Sequence, residues 1–432
     1  MNAAMNIPAS ETGKPAGTHA AMVDELCDRA RVASRLVALA DTGRKDAWLS
    51  GLAAALRREA PRLVAVNALD LAGAGGLSAA LQDRLTLSPA RIESMARGLE
   101  QLVALPDPVG RVREARVAPS GIRVEKVGVP LGVVLFIYES RPNVTVDAAG
   151  LCLKSGNAII LRGGREAQES NRALVELCRA ELERAGLPAD AVQQVPVSDR
   201  ALVGCLLAEG ERIDLVIPRG GEDLVRRVAR EARMPVLKHY TGNCHLFVDA
   251  SAPLAMAGAI VVDSKCSRPG VCNALETMLV HADWASQHLP ALLADLRSRG
   301  VRIRGCPRTA ELAGWVEAAC PADWDTEYLD LILAVKVVAG LNEAISHITR
   351  HTSGHTEGII TADSANAEVF CQRVDSAAVL VNASTRLHDG GELGLGAEIG
   401  ISTGKFHARG PCGLEELTSY KYVVRGDGQV RG

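Results

Sequence analysis

The sequence predicts an α/β protein with two parallel-sheet units and a small β ribbon. Three observations carry that expectation. From residue 128 onward, short apolar runs alternate with helical patterns, once between 128 and 240 and again after 241. That alternation is the mark of right-handed βαβ crossovers. Before residue 106 the chain reads only as consecutive helices, and after it two strand-like runs flank Pro119-Ser120-Gly121. At 432 residues the chain exceeds what one compact core supports, so two or three domains are expected.

Taken in order, residues 1–18 are small and polar, with Pro8 and Pro15, and are expected to lack fixed structure. Met22 to Ala40 repeats apolar residues at helical spacing, and Thr42-Gly43 stops it. Asp46 to Ala60 reads as a second helix ending at Pro61, and a third runs from there to about Leu71. Ser88-Pro89 starts a helix that runs to Leu105, with serine as N-cap and proline in the first turn. Residues 113–117 and 122–127 alternate polar and apolar, a hairpin pattern. A two-stranded ribbon is marginal alone, so it needs another sheet or subunit to lean on.

In the first α/β stretch, strands are expected at Val133 to Ile137, Ala158 to Leu161, Ala191 to Val195 and Ile213 to Ile217. A helix from Val144 to Ser155 and another ending near Arg184 lie between them, and a further helix starts at Glu222. Ligands of parallel sheets sit at the carboxyl ends of the strands. The turns at those ends are Glu139 to Asn143, Arg162-Gly163-Gly164 and Pro218-Arg219-Gly220-Gly221. In the second stretch, strands are expected at Leu246 to Val248, Thr277 to Val280, Val301 to Ile303, Leu331 to Val337, Gly358 to Thr361 and Ala378 to Val381. Asn382 to Pro411 is glycine-rich and patternless, so it reads as an ordered loop over a site, and Thr418 to Val424 is a last strand.

Composition excludes several classes. The net charge of −3 and 3% aromatic residues give no reason to expect nucleic acid as a partner. No apolar run is long enough to cross a bilayer, and Met1 to Ala20 lacks the pattern of a secretory signal. Eleven cysteines, an odd number with no C-x-x-C spacing, fit a reduced cytoplasmic protein without a zinc site.

The chemistry centres on Lys265-Cys266-Ser267-Arg268-Pro269-Gly270-Val271-Cys272-Asn273. A helical pattern from Ala255 to Val262 enters it, and Pro269-Gly270 must break that helix. Cys272 is thereby delivered on a turn, with Lys265 and Arg268 nearby in sequence as cations that would favour a thiolate. The competing reading is a small buried cysteine. Arg162 and Arg165, at a glycine-rich turn, can hold the 2′-phosphate that separates NADP from NAD, or can simply be a surface pair. No G-x-G-x-x-G accompanies them. Asn143, behind Pro142 at a helix start, is either an N-cap or one of two donors to an oxyanion. His347, His351 and His355 recur every four residues as metal ligands would, but Gly354 interrupts the helix, and no metal is expected. The arginines and histidines from Arg386 to Arg409 either hold a substrate anion or order the loop.

Five segments carry a resemblance: Val-Pro-Leu-Gly-Val-Val (129–134), Tyr-Glu-Ser-Arg-Pro-Asn-Val-Thr-Val (138–146), Arg-Pro-Gly-Val-Cys-Asn-Ala-Leu-Glu-Thr (268–277), His347 to Glu357, and Val-Asn-Ala-Ser-Thr-Arg (381–386). Together they resemble the γ-glutamyl phosphate reductases, or glutamate-5-semialdehyde dehydrogenases, of the aldehyde dehydrogenase superfamily. Thr352 departs from the usual glycine or serine, and Asp263-Ser264 and Ser267 depart from the usual residues around Lys265. The resemblance implies an aldehyde-dehydrogenase-like fold. Its cofactor domain spans 19–110 and 128–240, its catalytic domain 241–410, and an oligomerisation ribbon 111–127 with 411–432.

The resemblance also implies roles. Cys272 is the nucleophile and Asn143 the oxyanion donor, while Arg162 with Arg165, Gly220 and Gly221 face NADP(H) and Glu327 faces its nicotinamide ribose. Arg141, Arg268 and Arg386 are the candidate cations for a small-molecule substrate. The implied reaction is NADPH-dependent reduction of L-glutamyl 5-phosphate to the 5-semialdehyde through a cysteine thioester, a step of proline biosynthesis. A cytoplasmic homodimer or homotetramer, coupled to glutamate 5-kinase, follows from the same likeness; no nucleic-acid or membrane partner is expected. Hydrolytic relatives carry a water-activating glutamate in a Glu-Leu-Gly-Gly stretch, and Val236 to Gly242 has none. A different CoA- or phosphate-dependent aldehyde dehydrogenase, and a catalytically dead ligand-binding scaffold, are the alternatives.

Overall fold

A computed structural model describes residues 17–196 and 200–431. The chain divides into two compact units. One holds the chain up to Ala96, Leu131–Ile217 and Val228–Val236; the other holds Arg97–Pro130, Pro218–Arg227 and everything from Leu237. The segment expected to lack fixed structure lies outside the described residues, except for Gly17 and Thr18, which begin the helix Gly17–Val37.

The first unit is built on a four-stranded sheet ordered Val192–Gln194, Ala158–Arg162, Val133–Tyr138, Leu215–Arg219. Val133–Tyr138 is buried along its whole length, which is why it reads as an unbroken apolar run. Pro61 does not end a helix: Thr42–Gly73 is one continuous helix with Pro61 inside it. The proline sits on the exposed face of the helix, where a local bend disturbs no core packing. Thr42-Gly43 likewise opens this helix, capped by Asp41 accepting from the Arg44 N–H at 3.0 Å.

The second unit carries a seven-stranded sheet ordered Glu317–Ala318, Arg302–Gly305, Ile332–Val338, Leu275–His281, Cys244–Val248, Thr356–Ile360, Ala378–Val381. All six strand pairs are parallel. One face packs Leu246, Met278, Val280, Leu293 and Val335 into a core; the other packs Phe247, Leu279, Ile359 and Phe370. The alternate residues of Cys244–Val248 and Leu275–His281 thus feed opposite cores, as a two-period strand requires. The Asn382–Pro411 stretch is not loop throughout, since Gly400–Ser402 and Gly410–Cys412 form a two-stranded antiparallel sheet.

The hairpin is Val112–Val117 with Arg123–Pro130, and its supporting strand comes from the same chain. Thr418–Arg425 pairs antiparallel with Arg123–Pro130 over eight positions. Support from another subunit is therefore not needed to complete a three-stranded sheet. All eleven cysteines are free. Among the described residues, no helix is long and apolar enough to cross a membrane.

Candidate active site

The helix Leu254–Cys266 ends where the Ser267 hydroxyl turns back to donate to the Asp263 carbonyl at 2.6 Å. Pro269 and Gly270 then form a turn, and Cys272 sits half-buried on it before the strand Leu275–His281. The turn is tied down from several sides. The Asn273 side-chain amide donates to the His388 carbonyl at 3.0 Å, and its Oδ1 accepts from Arg386. Beneath it, the Cys244 thiol donates to the Cys272 carbonyl at 3.1 Å.

Gly242 explains why Cys272 is held so closely. A Cβ on Gly242 would lie 2.0 Å from the Cys272 carbonyl oxygen and 2.7 Å from its Cα, so only glycine permits this approach. Substituting Gly242→Ala should push the cysteine turn away and lower kcat by about 100-fold, the penalty for roughly 1 Å of misplacement. Steady-state kinetics on a variant with an unchanged circular dichroism spectrum checks this; wild-type kcat would refute it.

The charges around Cys272 differ from those its sequence neighbours suggest. Lys265 is fully buried and pairs at 2.7 Å with the equally buried Glu276, and Arg268 is exposed. Burial pushes the Glu276 carboxyl up to about 7 even with Lys265 beside it. Lys265→Met would strand a buried carboxylate, so it should destabilise the protein by ~3 kcal/mol, whereas adding Glu276→Leu should recover most of the loss. Denaturant midpoints measure both, and a double variant no more stable than the single would contradict the pairing.

The cation whose field reaches Cys272 is instead Arg219, at the end of the strand Leu215–Arg219. It does not prevail. Burial pushes the Cys272 thiol up to about 11, with Glu327 and Glu398 adding to the rise. A thiol in that state is almost wholly protonated at pH 7, so it needs a base.

Two histidines stand within reach. One ring nitrogen each from His239 and His355 and the Cys272 Sγ all lie within 4.8 Å of one another. His239 Nδ1 is 2.8 Å from the Ile401 carbonyl and must donate to it, which leaves Nε2 as the basic nitrogen. Burial holds His239 below its ordinary value, with Arg219 acting in the same direction. His355 Nδ1 lies 2.7 Å from the Thr356 hydroxyl, which also meets His388 Nδ1 at 2.7 Å. His355 Nε2 is buried with no hydrogen-bond partner.

The second unit thus contains Cys272, Arg268, Arg386, Gly220, Gly221 and Glu327. Glu327 is bonded to the Gly242 N–H, and burial raises its carboxyl. Arg386 is committed to Asn273 rather than extended into solvent. The first unit contains Arg141, Asn143, Arg162 and Arg165. Asn143 is the first helical residue, and its amide donates to Asp147 one turn on, at 3.0 Å. The two glycine-rich turns differ. At Gly163 a Cβ would meet Asn171 at 2.2 Å and Tyr138 at 3.1 Å, so packing alone demands that glycine. At Gly221, where the helix Glu222–Glu231 begins, a Cβ would meet nothing within 4 Å, so packing does not demand that glycine.

Arg219, His239 and Glu398 join the site without having stood out as site residues in the sequence, and His355 had stood out only as the third histidine of a metal-like spacing. His239 carried a signal, since it lies in the Val236–Gly242 stretch where hydrolytic relatives place their glutamate. Thr352, the departure from the usual motif, has a structural role, because its hydroxyl bonds Glu357 and accepts the Gly354 N–H at 2.8 Å.

The chain is similar to known proteins over nearly its whole length. A family model described as the aldehyde dehydrogenase family matches residues 6–304. Gamma-glutamyl phosphate reductase of Solidesulfovibrio magneticus is 54% identical over 416 residues, covering 96% of this chain and 99% of the relative. The enzyme of the same name from Rhodopirellula baltica is 52% identical over 415 residues, covering 96% of each. The crystal structure of gamma-glutamyl phosphate reductase from Thermotoga maritima is 44% identical, with a TM-score of 0.94 over 95% of this chain and 100% of that one.

Proposed function

This chain belongs to the aldehyde dehydrogenase family, among its γ-glutamyl phosphate reductases, and we propose that it reduces L-glutamyl 5-phosphate to L-glutamate 5-semialdehyde through a thioester on Cys272. It is an oxidoreductase, and its family implies a nicotinamide cofactor. The observation that carries the reading is the turn-borne Cys272 with the His239 base beside it.

His239 Nε2 takes the thiol proton, and the Cys272 sulfur attacks the γ-acyl carbon. Phosphate departs as the carbon–sulfur bond forms, and the His239 imidazolium protonates it. Asn143 is assigned as a donor to the acyl oxygen during the attack. NADPH, when bound, supplies the hydride that reduces the acyl group. Collapse of the resulting thiohemiacetal releases the aldehyde and returns Cys272 as a thiolate, which takes a proton from solvent. One proton is consumed per turnover. Gly220, Gly221, Arg162 and Arg165 are assigned to the NADP phosphates and Glu327 to the nicotinamide ribose; the helix start at Glu222, next to Gly221, supports that assignment. Arg141, Arg268 and Arg386 remain the cations assigned to the substrate's carboxylate and phosphate.

The unit containing the four-stranded sheet is assigned to cofactor binding, the one containing the seven-stranded sheet to catalysis, and the three-stranded sheet to assembly of a homodimer or homotetramer. An acyl phosphate hydrolyses readily, which favours coupling to glutamate 5-kinase in the cytoplasm.

His239 also supports a second reading, in which a base beside the thioester activates water and the enzyme oxidises the aldehyde hydrolytically. Phosphate dependence separates the two. NADP+ reduction by glutamate semialdehyde should require phosphate and should run slower with NAD+. Equal turnover without phosphate would favour the hydrolytic reading.

A further inference from the structure

More donors surround Cys272 than a proton transfer requires. His239 arrives on the segment before the strand Cys244–Val248, His355 at the start of Thr356–Ile360, and Cys272 on the turn before Leu275–His281. Three elements therefore converge on one point, with a ligand atom from each within 4.8 Å of the others. His355 is wholly buried, and its Nδ1 is occupied by Thr356, so Nε2 is the nitrogen it has to offer. That Nε2 has no hydrogen-bond partner. A buried, unsatisfied imidazole nitrogen is costly and calls for an explanation.

We propose that Cys272, His239 and His355 form a site for a thiophilic divalent cation, Zn2+ foremost, whose binding reversibly silences the enzyme. The silencing rests on the reductase reading above; the site does not. One thiolate and two imidazoles, with water in the fourth position, are the donor set of a tetrahedral zinc centre. Binding at about 2.0–2.3 Å per ligand draws the donor atoms closer than 4.8 Å, which rotation of the half-buried Cys272 side chain permits. The thiol proton leaves as the zinc–sulfur bond forms.

The surrounding charge does not oppose a dication, since Glu327 and Glu398 face Cys272 together with Arg219. The four-residue histidine spacing is not the ligand set. His347 and His351 share the helix Leu341–His351, whereas His355 lies beyond it and joins residues remote in sequence.

Co2+ serves as the spectroscopic probe, on reduced, chelator-treated protein carrying Cys320→Ser and Cys371→Ser to remove the exposed thiols. One equivalent should produce a thiolate-to-cobalt charge-transfer band and tetrahedral d–d absorption, both abolished by one equivalent of Zn2+. Cys272→Ser should remove the charge-transfer band. His355→Gln should weaken Co2+ binding at least tenfold, a loss that changes even outside a ligand set can produce. Should His355→Gln fail to fold, His239→Gln, at a half-buried position, should show the same weakening. A band that survives Cys272→Ser, or affinity unchanged by the histidine substitutions, overturns the proposal. Zn2+ should also inhibit turnover, with EDTA restoring it; Co2+ bands in a protein without reductase activity would leave the site standing and sink the reductase reading.

Discussion

Cys272→Ala is expected to abolish phosphate-dependent NADP+ reduction with glutamate semialdehyde, a loss of about 10⁴-fold or more, while leaving the fold intact. The size follows from chemistry: without a sulfur there is no covalent intermediate, and only binding and orientation remain. Structure supports an intact fold, because Cys272 is half-buried and its main structural contacts are through its backbone. Its carbonyl accepts from Cys244, and its backbone packs on Gly242; alanine keeps both. The variant should therefore match the parent in thermal midpoint and near-ultraviolet circular dichroism. Retained turnover would exclude Cys272 as the nucleophile, whereas lost turnover with a collapsed midpoint would move the residue to a structural role.

His239→Gln should lower kcat/KM at pH 7 by about 10²–10³-fold and change the shape of the pH profile. Glutamine can keep the hydrogen bond to the Ile401 carbonyl but cannot accept a proton, so the comparison isolates basicity. In the parent, burial holds His239 below its ordinary 6.5, and activity should fall only as pH drops through that lowered value. In the variant, thiolate must form by direct ionisation of a thiol pushed up to about 11. About one thiol in ten thousand is then ionised at pH 7, and the rate should climb by up to tenfold per pH unit above it. Arg219, Glu327 and Glu398 are unchanged in both proteins, so the shift in profile reports His239 alone. A variant whose profile merely scales down would show that His239 positions the turn and carries no proton.

Much of the architecture was legible because it follows local rules. Val133–Tyr138 and Ile332–Val338 announce themselves as buried strands, and Ser88-Pro89 as a helix start. What could not be read depends on tertiary context. Pro61 stays inside a helix because it falls on the exposed face, a fact no local pattern contains. The hairpin's third strand lies almost three hundred residues further on, and only long-range pairing shows that Thr418–Arg425 completes it.

The same division runs through the site. The Pro269-Gly270 break was enough to put Cys272 on a turn. The electrostatics were not legible, because adjacency in sequence is not adjacency in space. Lys265 spends its charge on Glu276 inside the unit, and the field at Cys272 comes from Arg219, more than fifty residues earlier. His355 looked like the third member of a helical series, yet the turn at Gly354 carries it to Cys272 instead.

A burst experiment reads directly whether a γ-glutamyl group is carried on Cys272. Enzyme is mixed with an excess of NADP+ and glutamate semialdehyde in the absence of phosphate, then quenched in acid and digested. NADPH formation should approach one equivalent per Cys272 before turnover stalls, with an acid-stable acyl adduct on the peptide bearing Cys272 that is lost when phosphate is added before the quench. No burst, or an adduct on any other cysteine, would contradict a thioester on Cys272.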